Sequence, residues 1–200
     1  MTDHLLSKGA RGRPRRFDPN AALITGRALF HTHGYEALGI AAITEALGIR
    51  PASFYAAFGS KAAYFERIAE AYVAEVLPLE AFFRDDCPIV DSIAELLGEA
   101  ARTYTTCSDQ AGCLILEALR ADRSGEGRRI AMRVAQIRRE KLQAFIARAA
   151  PAVALIATDV VTVTMAGMSA AARDGVSCVC LEQVAAVATV GLRSLIEGGA

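Results

Sequence analysis

Residues 34–65 read GYEALGIAAITEALGIRPASFYAAFGSKAAYF, and the placing of apolar residues, glycines and a capping serine in this stretch decides the fold. Ile40, Ile43 and Leu47 fall at i, i+3 and i+7, one apolar face of a helix. Gly48 follows at once, where a left-handed residue closes a helix. A second short helix is predicted from about Arg50 to Ala57. A third opens at Ser60, which can cap it, and runs through Phe65, Ile68 and Tyr72 until Pro78 kinks or ends it. Two short helices about a glycine turn make a helix-turn-helix, whose second helix enters the DNA major groove. The stretch therefore assigns a nucleic-acid partner before any other residue is read.

Upstream, Asp18 is a good N-cap and Pro19 suits the first helical position, where a missing N–H costs nothing. Phe17 can pack back on Ala22 as a hydrophobic staple. Leu23, Ala28, Leu29 and Phe30 supply a core face, and Gly34 ends the helix. Residues 1–16 are polar, Gly-rich and basic, and read as a flexible arm. Downstream, helices are predicted near 88–106, 111–122, 126–149, 152–173 and 178–197, separated by Pro, Gly, Ser and Asp clusters. No period-2 strand pattern of useful length occurs. The expected fold is all-α with about nine helices: an arm (1–16), a three-helix DNA-binding domain (17–60), a connecting helix (60–77) and a C-terminal effector-binding and dimerisation domain (78–200).

Charge is zero overall but unevenly placed. Residues 1–61 carry eight Lys/Arg against four acids, net +4, which leaves the remaining 139 residues at −4. A basic head on an acidic body suits a local DNA contact, not a coating protein. The longest charge-free run, Val160 to Ala172, has 13 residues and contains Thr and Ser, so no segment is expected to span a membrane. Asp3 and a lone Leu5-Leu6 pair argue against a signal peptide. A cytoplasmic protein is expected, and the five cysteines are then thiols.

The pieces Gly12-Arg13-Pro14-Arg15, Phe17-Asp18, Ala28-Leu29-Phe30, Gly34-Tyr35, Ser53-Phe54-Tyr55 and Phe58-Gly59-Ser60-Lys61 occur in this order within Gly12 to Tyr72. Over these roughly sixty residues the chain resembles the DNA-binding domain of the TetR family of bacterial transcriptional repressors. Beyond them only helicity and a Gly112-Cys113-Leu114 step look like the family. One departure is Leu38-Gly39, where the family usually places Thr-Ser or similar. Those hydroxyls cap the second helix and touch a phosphate; Gly39 caps more weakly and offers no side-chain bond.

Arg50, Pro51, Ala52, Ser53, Tyr55 and Ala56 are the expected outer positions of the reading helix, with Phe54 and Phe58 turned inward. Arg50 can bond a guanine bidentately, and Ala52 or Ala56 can touch a thymine methyl. Ser53 and Tyr55 suit phosphate contacts, which set register. Lys61 sits at a helix start, where an ammonium and free N–H groups together hold a phosphate; the resemblance implies the same role. Thr44 is a further candidate phosphate contact, and Arg13 and Arg15 are candidates for the minor groove.

One such module is a weak reader, so a dimer on a palindromic operator is expected. Leu181, Val184, Ala188, Gly191 and Leu195, widened by Val187 and Ile196, form one apolar face of the last helix. Gly167, Ala166, Ala170 and Ala171 let the preceding helix approach closely. The resemblance implies a four-helix bundle between two copies of these helices. Phe82, Phe83, Tyr104, Leu116, Met132, Phe145, Met165 and Met168 are candidates to line a small-molecule effector pocket, each equally at home in an ordinary core. Arg128, Arg129, Arg133, Arg138, Arg139 and Lys141 read as a solvated basic face. Cys178-Val179-Cys180 lacks the paired spacing of a zinc site and reads as buried apolar filling; a thiol- or soft-metal-responsive regulator is the sharper alternative. His31 and His33 read as surface or cap residues of the first helix, and His4 lies in the arm. No nucleophile–base pair and no phosphate-binding Gly loop supports an enzyme, and no cofactor or metal is expected. An architectural DNA protein without a ligand is a third reading, favoured by a body with no cavity.

Overall fold

The structure is a computed structural model that describes residues 18–121 and 124–198. Among the described residues nine α-helices follow one another with two short 3-10 turns and no strand. The arm, Phe17 and its staple onto Ala22, and His4 lie outside the described residues.

Helix α1 spans Pro19–His33, and the Asp18 carboxylate caps it by accepting from the Asn20 amide at 2.9 Å. Helix α2, Ile40–Ala46, starts from Gly39 without a side-chain cap bond. Gly48, at φ +64°, makes the turn into α3, Pro51–Phe58. An L side chain there would be strained. Helix α4, Lys61–Glu75, is capped by the Ser60 hydroxyl, which accepts from the Ala63 amide at 3.0 Å. It ends before Pro78, and a 3-10 turn over Leu79–Ala81 follows.

Helices α5 (Ile89–Thr105), α6 (Leu114–Arg120), α7 (Glu126–Ala147), α8 (Ala154–Arg173) and α9 (Cys178–Gly198) build the body. The predicted element 111–122 is shorter than expected, because Ala111 and Cys113 are extended and Gly112 takes φ +82°, so the helix opens only at Leu114. Helix α5 packs most extensively on α9 and also meets α8, while α7 bridges α4, α6 and α8.

Two apolar cores result. One gathers Phe30, Tyr35, Ile43, Phe54, Phe58, Tyr64 and Phe65, all buried, and continues into Leu114, Ile115, Ile130 and Val134 of α6 and α7. The other gathers α5, α8 and α9 around Ile93, Leu97, Tyr104, Val161 and Leu192. The first core thus crosses from the DNA-binding module into the body. At this crossing Gly127 lies so close to Tyr35 that a Cβ would sit 2.5 Å from the tyrosine Cβ and Cγ. The Tyr35 hydroxyl donates to Glu126 Oε2 at 2.6 Å beside it.

The basic stretch of α7 is a solvated face only in part: Arg129, Arg133 and Lys141 are exposed, and Arg128, Arg138 and Arg139 are half-buried. Arg133 pairs with Glu66 of α4, Lys141 with Glu80, and Arg139 with Asp159 of α8 at 2.6 Å. Arg138 donates to the carbonyls of Leu77 at 3.0 Å and Val73 at 3.4 Å. These residues spread around a helix packed on three sides, so their charges tie neighbouring elements together.

Two other expectations are corrected. His31 is buried rather than on the surface, because α1 turns it toward Tyr72. Cys180 is exposed and Cys178 half-buried, so the pair does not fill a core. Helices α8 and α9 are also long and apolar enough to cross a membrane by length and composition, which the 13-residue charge-free run did not bring out. Both are apolar on two sides for a different reason. Leu181, Ala185, Leu192 and Ile196 of α9 face its own core, while Val184, Val187 and Val190 face outward.

Candidate nucleic-acid interface

Helix α3 is fixed by its aromatic face. Phe54 is fully buried and lies 5.2 Å, ring to ring, from Tyr64; Phe58 lies 4.4 Å from the same ring. Tyr64 is itself tied down, donating its hydroxyl to the Ala22 carbonyl of α1, and burial pushes its pKa up to about 12. With one face clamped, the other must point out. Arg50, Pro51, Ala52, Ser53, Tyr55 and Ala56 are all exposed, as their spacing predicts. Arg50 is the N-cap residue and Pro51 opens the first turn, so the guanidinium stands at the positive end of α3. Among the described residues no carboxylate lies within 4.0 Å of it.

Lys61 opens α4. Its ammonium donates to the Tyr35 carbonyl at 2.9 Å and the Leu38 carbonyl at 3.0 Å, and lies 4.1 Å from the Tyr35 ring centroid. Two of its three donors thus pin the loop before α2, and one remains. Thr44 is placed differently from its neighbours. It is buried, and its hydroxyl bonds back to the carbonyls of Ile40 at 3.0 Å and Ala41 at 3.1 Å. Arg13 and Arg15 lie outside the described residues. The structure therefore exposes Arg50, Ala52, Ser53, Tyr55 and Ala56 along α3, leaves Lys61 half-buried against the loop before α2, and leaves Thr44 inside.

A clamped short helix with a cation at its start and small residues along its outer face fits a major groove. Comparison with known proteins decides whose module this is. Residues 23–68 match the profile of bacterial regulatory proteins of the tetR family. Over 187 residues, 93% of this chain and 94% of the relative, the sequence is 40% identical to the HTH-type transcriptional repressor BdcR of Escherichia coli strain K12. The chain belongs to the TetR family. A second relative, the HTH-type transcriptional repressor ComR of the same organism, is 31% identical over 111 residues, 54% of this chain and 53% of ComR. Among solved structures, a cysteine-substituted form of the TetR family regulator CifR, complexed with a 26-base-pair operator duplex, superposes with a TM-score of 0.77 at 29% identity, covering 88% of this chain and 98% of that one. As a TetR-family protein the chain is a DNA-binding transcriptional regulator.

The body of this TetR-family chain carries a cavity of about 500 Å³ between α4, α5, α6, α7 and α8. Tyr104, Leu116, Met132 and Met165 line it, as expected. The other candidates do not: Phe83 and Phe145 stack on each other at 4.2 Å, and Met168 is core. Tyr72, Cys113 and Arg138 line it without having been foreseen. Of these only the Gly112-Cys113-Leu114 step left a trace in the sequence. Arg138 was hidden in a run of cations that all look alike in one dimension. The five cysteines are free, and among the described residues no cluster of His, Cys, Asp or Glu could hold a metal ion.

Proposed function

We propose that this protein is a dimeric repressor that holds a palindromic operator through α3 and is released from it by a small-molecule effector. The observation that carries the reading is the outward row Arg50, Ala52, Ser53, Tyr55 and Ala56 on a helix whose other side is locked by Phe54 and Phe58. Arg50 reads a guanine edge, and the two alanines admit the groove floor and favour a thymine methyl. Ser53, Tyr55 and the remaining donor of Lys61 hold phosphates, the last together with the unpaired N–H groups at the start of α4. Thr44 takes no part, because its hydroxyl is spent inside α2. Arg13 and Arg15 add minor-groove contacts from the arm.

That the relatives BdcR and ComR are repressors supports the direction of regulation. The operator duplex bound to CifR supports double-stranded DNA as partner. Dimerisation runs through the outer faces of α8 and α9, where Leu155, Ile156, Val163, Val184, Val187 and Val190 are exposed large apolar residues. So large an apolar patch on a monomer marks an interface. Gly167 and Gly191 on these faces have nothing within 4 Å of an added Cβ, so a partner helix can approach closely. This use of the two helices, and not a membrane, accounts for their apolar outer sides, and a cytoplasmic location follows. The effector occupies the body cavity, and its binding changes the separation of the two modules so that they no longer match successive grooves.

The test is a footprint followed by titration. The wild-type chain is expected to protect a palindrome with half-sites about 34 Å apart. Arg50→Ala and Tyr55→Ala should each weaken that complex at matched salt. Unchanged affinity in both variants would remove α3 as the reading helix.

A further inference from the structure

The cavity in the body is walled mainly by aliphatic side chains, yet one of its linings is a half-buried cation. Arg138 reaches it from α7, and burial lowers its pKa without removing the charge of a guanidinium. Among the described residues no carboxylate lies within 4.0 Å of Arg138. The acid whose field reaches it, Glu80, is already paired with Lys141. The partners of Arg138 are the carbonyls of Val73 and Leu77 at the C-terminal end of α4. A guanidinium has five N–H donors, so two carbonyls leave most of its fork unused. Cations that are buried are paired in stable proteins, because desolvation costs more than neutral contacts return. Half-buried Arg138 has no carboxylate partner among the described residues, and an open space adjoins the charge.

The same end of the cavity carries further donors. The Tyr72 and Tyr104 hydroxyls both stand against the Cys113 thiol, and burial raises both phenols well above their ordinary range, so they stay protonated. Farther along α7, Arg128 is a second lining cation with no carboxylate within 4.0 Å among the described residues, while Arg139 is paired with Asp159. The far side is Leu116, Leu119, Met132 and Val163. Around Arg138 the cavity thus offers positive charge and hydroxyl groups, and much of the rest of its wall is apolar.

We propose that this cavity binds a small organic anion, an apolar body ending in one carboxylate, with the carboxylate paired to Arg138. A carboxylate matches the guanidinium fork bidentately, and such pairs are the strong ones in a dry site. The proposal rests on the reading of the protein as effector-released and gives the effector its chemical class. It also supplies a route to the DNA module. Of the carbonyls that Arg138 holds, Val73 lies in the last turn of α4, the helix that begins at Lys61, and Leu77 lies just beyond its end. A carboxylate that draws the guanidinium into the cavity takes the cap off α4 and frees its C-terminal turn.

Calorimetric titration of the full chain with hexanoate, octanoate and decanoate, each beside the alcohol of the same length, tests the class. At least one carboxylate is expected to bind tenfold or more tightly than its alcohol. Arg138→Gln should erase that preference, and Arg138→Lys, which keeps the charge, should retain part of it even if the glutamine variant folds poorly. Leu116→Trp, which fills the cavity without touching Arg138, should abolish binding. In the wild type, the bound carboxylate should speed hydrogen exchange over residues 72–77. Equal binding of acid and alcohol would overturn the anion class and leave effector release standing. No binding by any carboxylate, or binding undisturbed by Leu116→Trp, would overturn the site. Operator affinity of the ligand-free chain, measured in parallel, judges the repressor reading by itself.

Discussion

Thr44 and Arg50 sit six residues apart and illustrate how burial separates two polar side chains with similar claims on DNA. Arg50 is exposed with an unclaimed guanidinium, whereas Thr44 is buried and back-bonded. Thr44→Val therefore leaves operator affinity within about twofold and changes stability by only about 1 kcal/mol, the scale of one net hydrogen bond. Arg50→Ala should cost about 1–3 kcal/mol at the cognate guanine and little on a scrambled duplex. Anisotropy titrations on both duplexes separate the two outcomes. A second buried polar residue makes a pH-dependent prediction. His31 is held down to about 4 from its ordinary 6.5, first by burial and then by the fields of Arg173 and Arg27, and its Nε2 has no partner. The unfolded chain binds the proton first, so the stability associated with neutral His31 is complete above pH 6.5. It is lost as pH falls from there to about 4. The full span corresponds to roughly 3 kcal/mol. His31→Leu should flatten the decline in urea-unfolding free energy between pH 7 and pH 4.5, and should be at least as stable as the parent at pH 7 because it removes an orphaned nitrogen. A decline as steep as in the parent would assign the acid sensitivity to another group.

Helix α7 is the element that decides how the DNA module and the body move together. Its first turn is locked against Tyr35 by Gly127 and by the Glu126 bond, and its middle grips α4 through Arg133 and Arg138. Gly127→Ala gains helix propensity of about 1 kcal/mol but drives a methyl into the Tyr35 ring. Overpacking of this kind costs about 1–3 kcal/mol, so the variant should melt earlier and the Tyr35–Glu126 bond should open. A higher melting temperature would show that the start of α7 yields freely. How legible these contacts were in the sequence differs by kind. Periodicity, caps and prolines give the order of all nine helices, because each of those signals acts within a few residues of itself. The outward row of α3 follows from the same local logic. Which residue of a basic run turns inward does not. Arg138 and Arg128 both lie in one run of α7, and only the packing of α4 over α7 distinguishes them. The apolar faces of α9 were likewise merged in one dimension. Leu181, Val184 and Ile196 step together along the chain, yet Leu181 and Ile196 pack into the body and Val184 faces out.

At the scale of the molecule, the proposed dimer makes repression depend on two modules acting as one. A single α3 supplies a few kcal/mol of discrimination, and linking two converts the second contact into an intramolecular event at high effective concentration. In the proposed dimer the linkage resides in the outer faces of α8 and α9. Val187 is 74% exposed and Val190 70% exposed on α9, and Val163 is 70% exposed on α8. Burial of each such side chain contributes about 1.5–3 kcal/mol when complete, and two-fold symmetry counts every residue twice. Val187→Glu places two carboxylates in that interface while leaving Leu181, Ala185 and Leu192 in their own core. The variant should sediment as a monomer at micromolar concentration, keep the parent's helical content, and lose operator affinity by a hundredfold or more. Its residual binding should show about half the parent's salt slope, since half the phosphate contacts remain. A Val187→Glu chain that stays dimeric would move the interface elsewhere on the body, and a monomer that holds the operator as tightly as the parent would sever dimerisation from repression altogether.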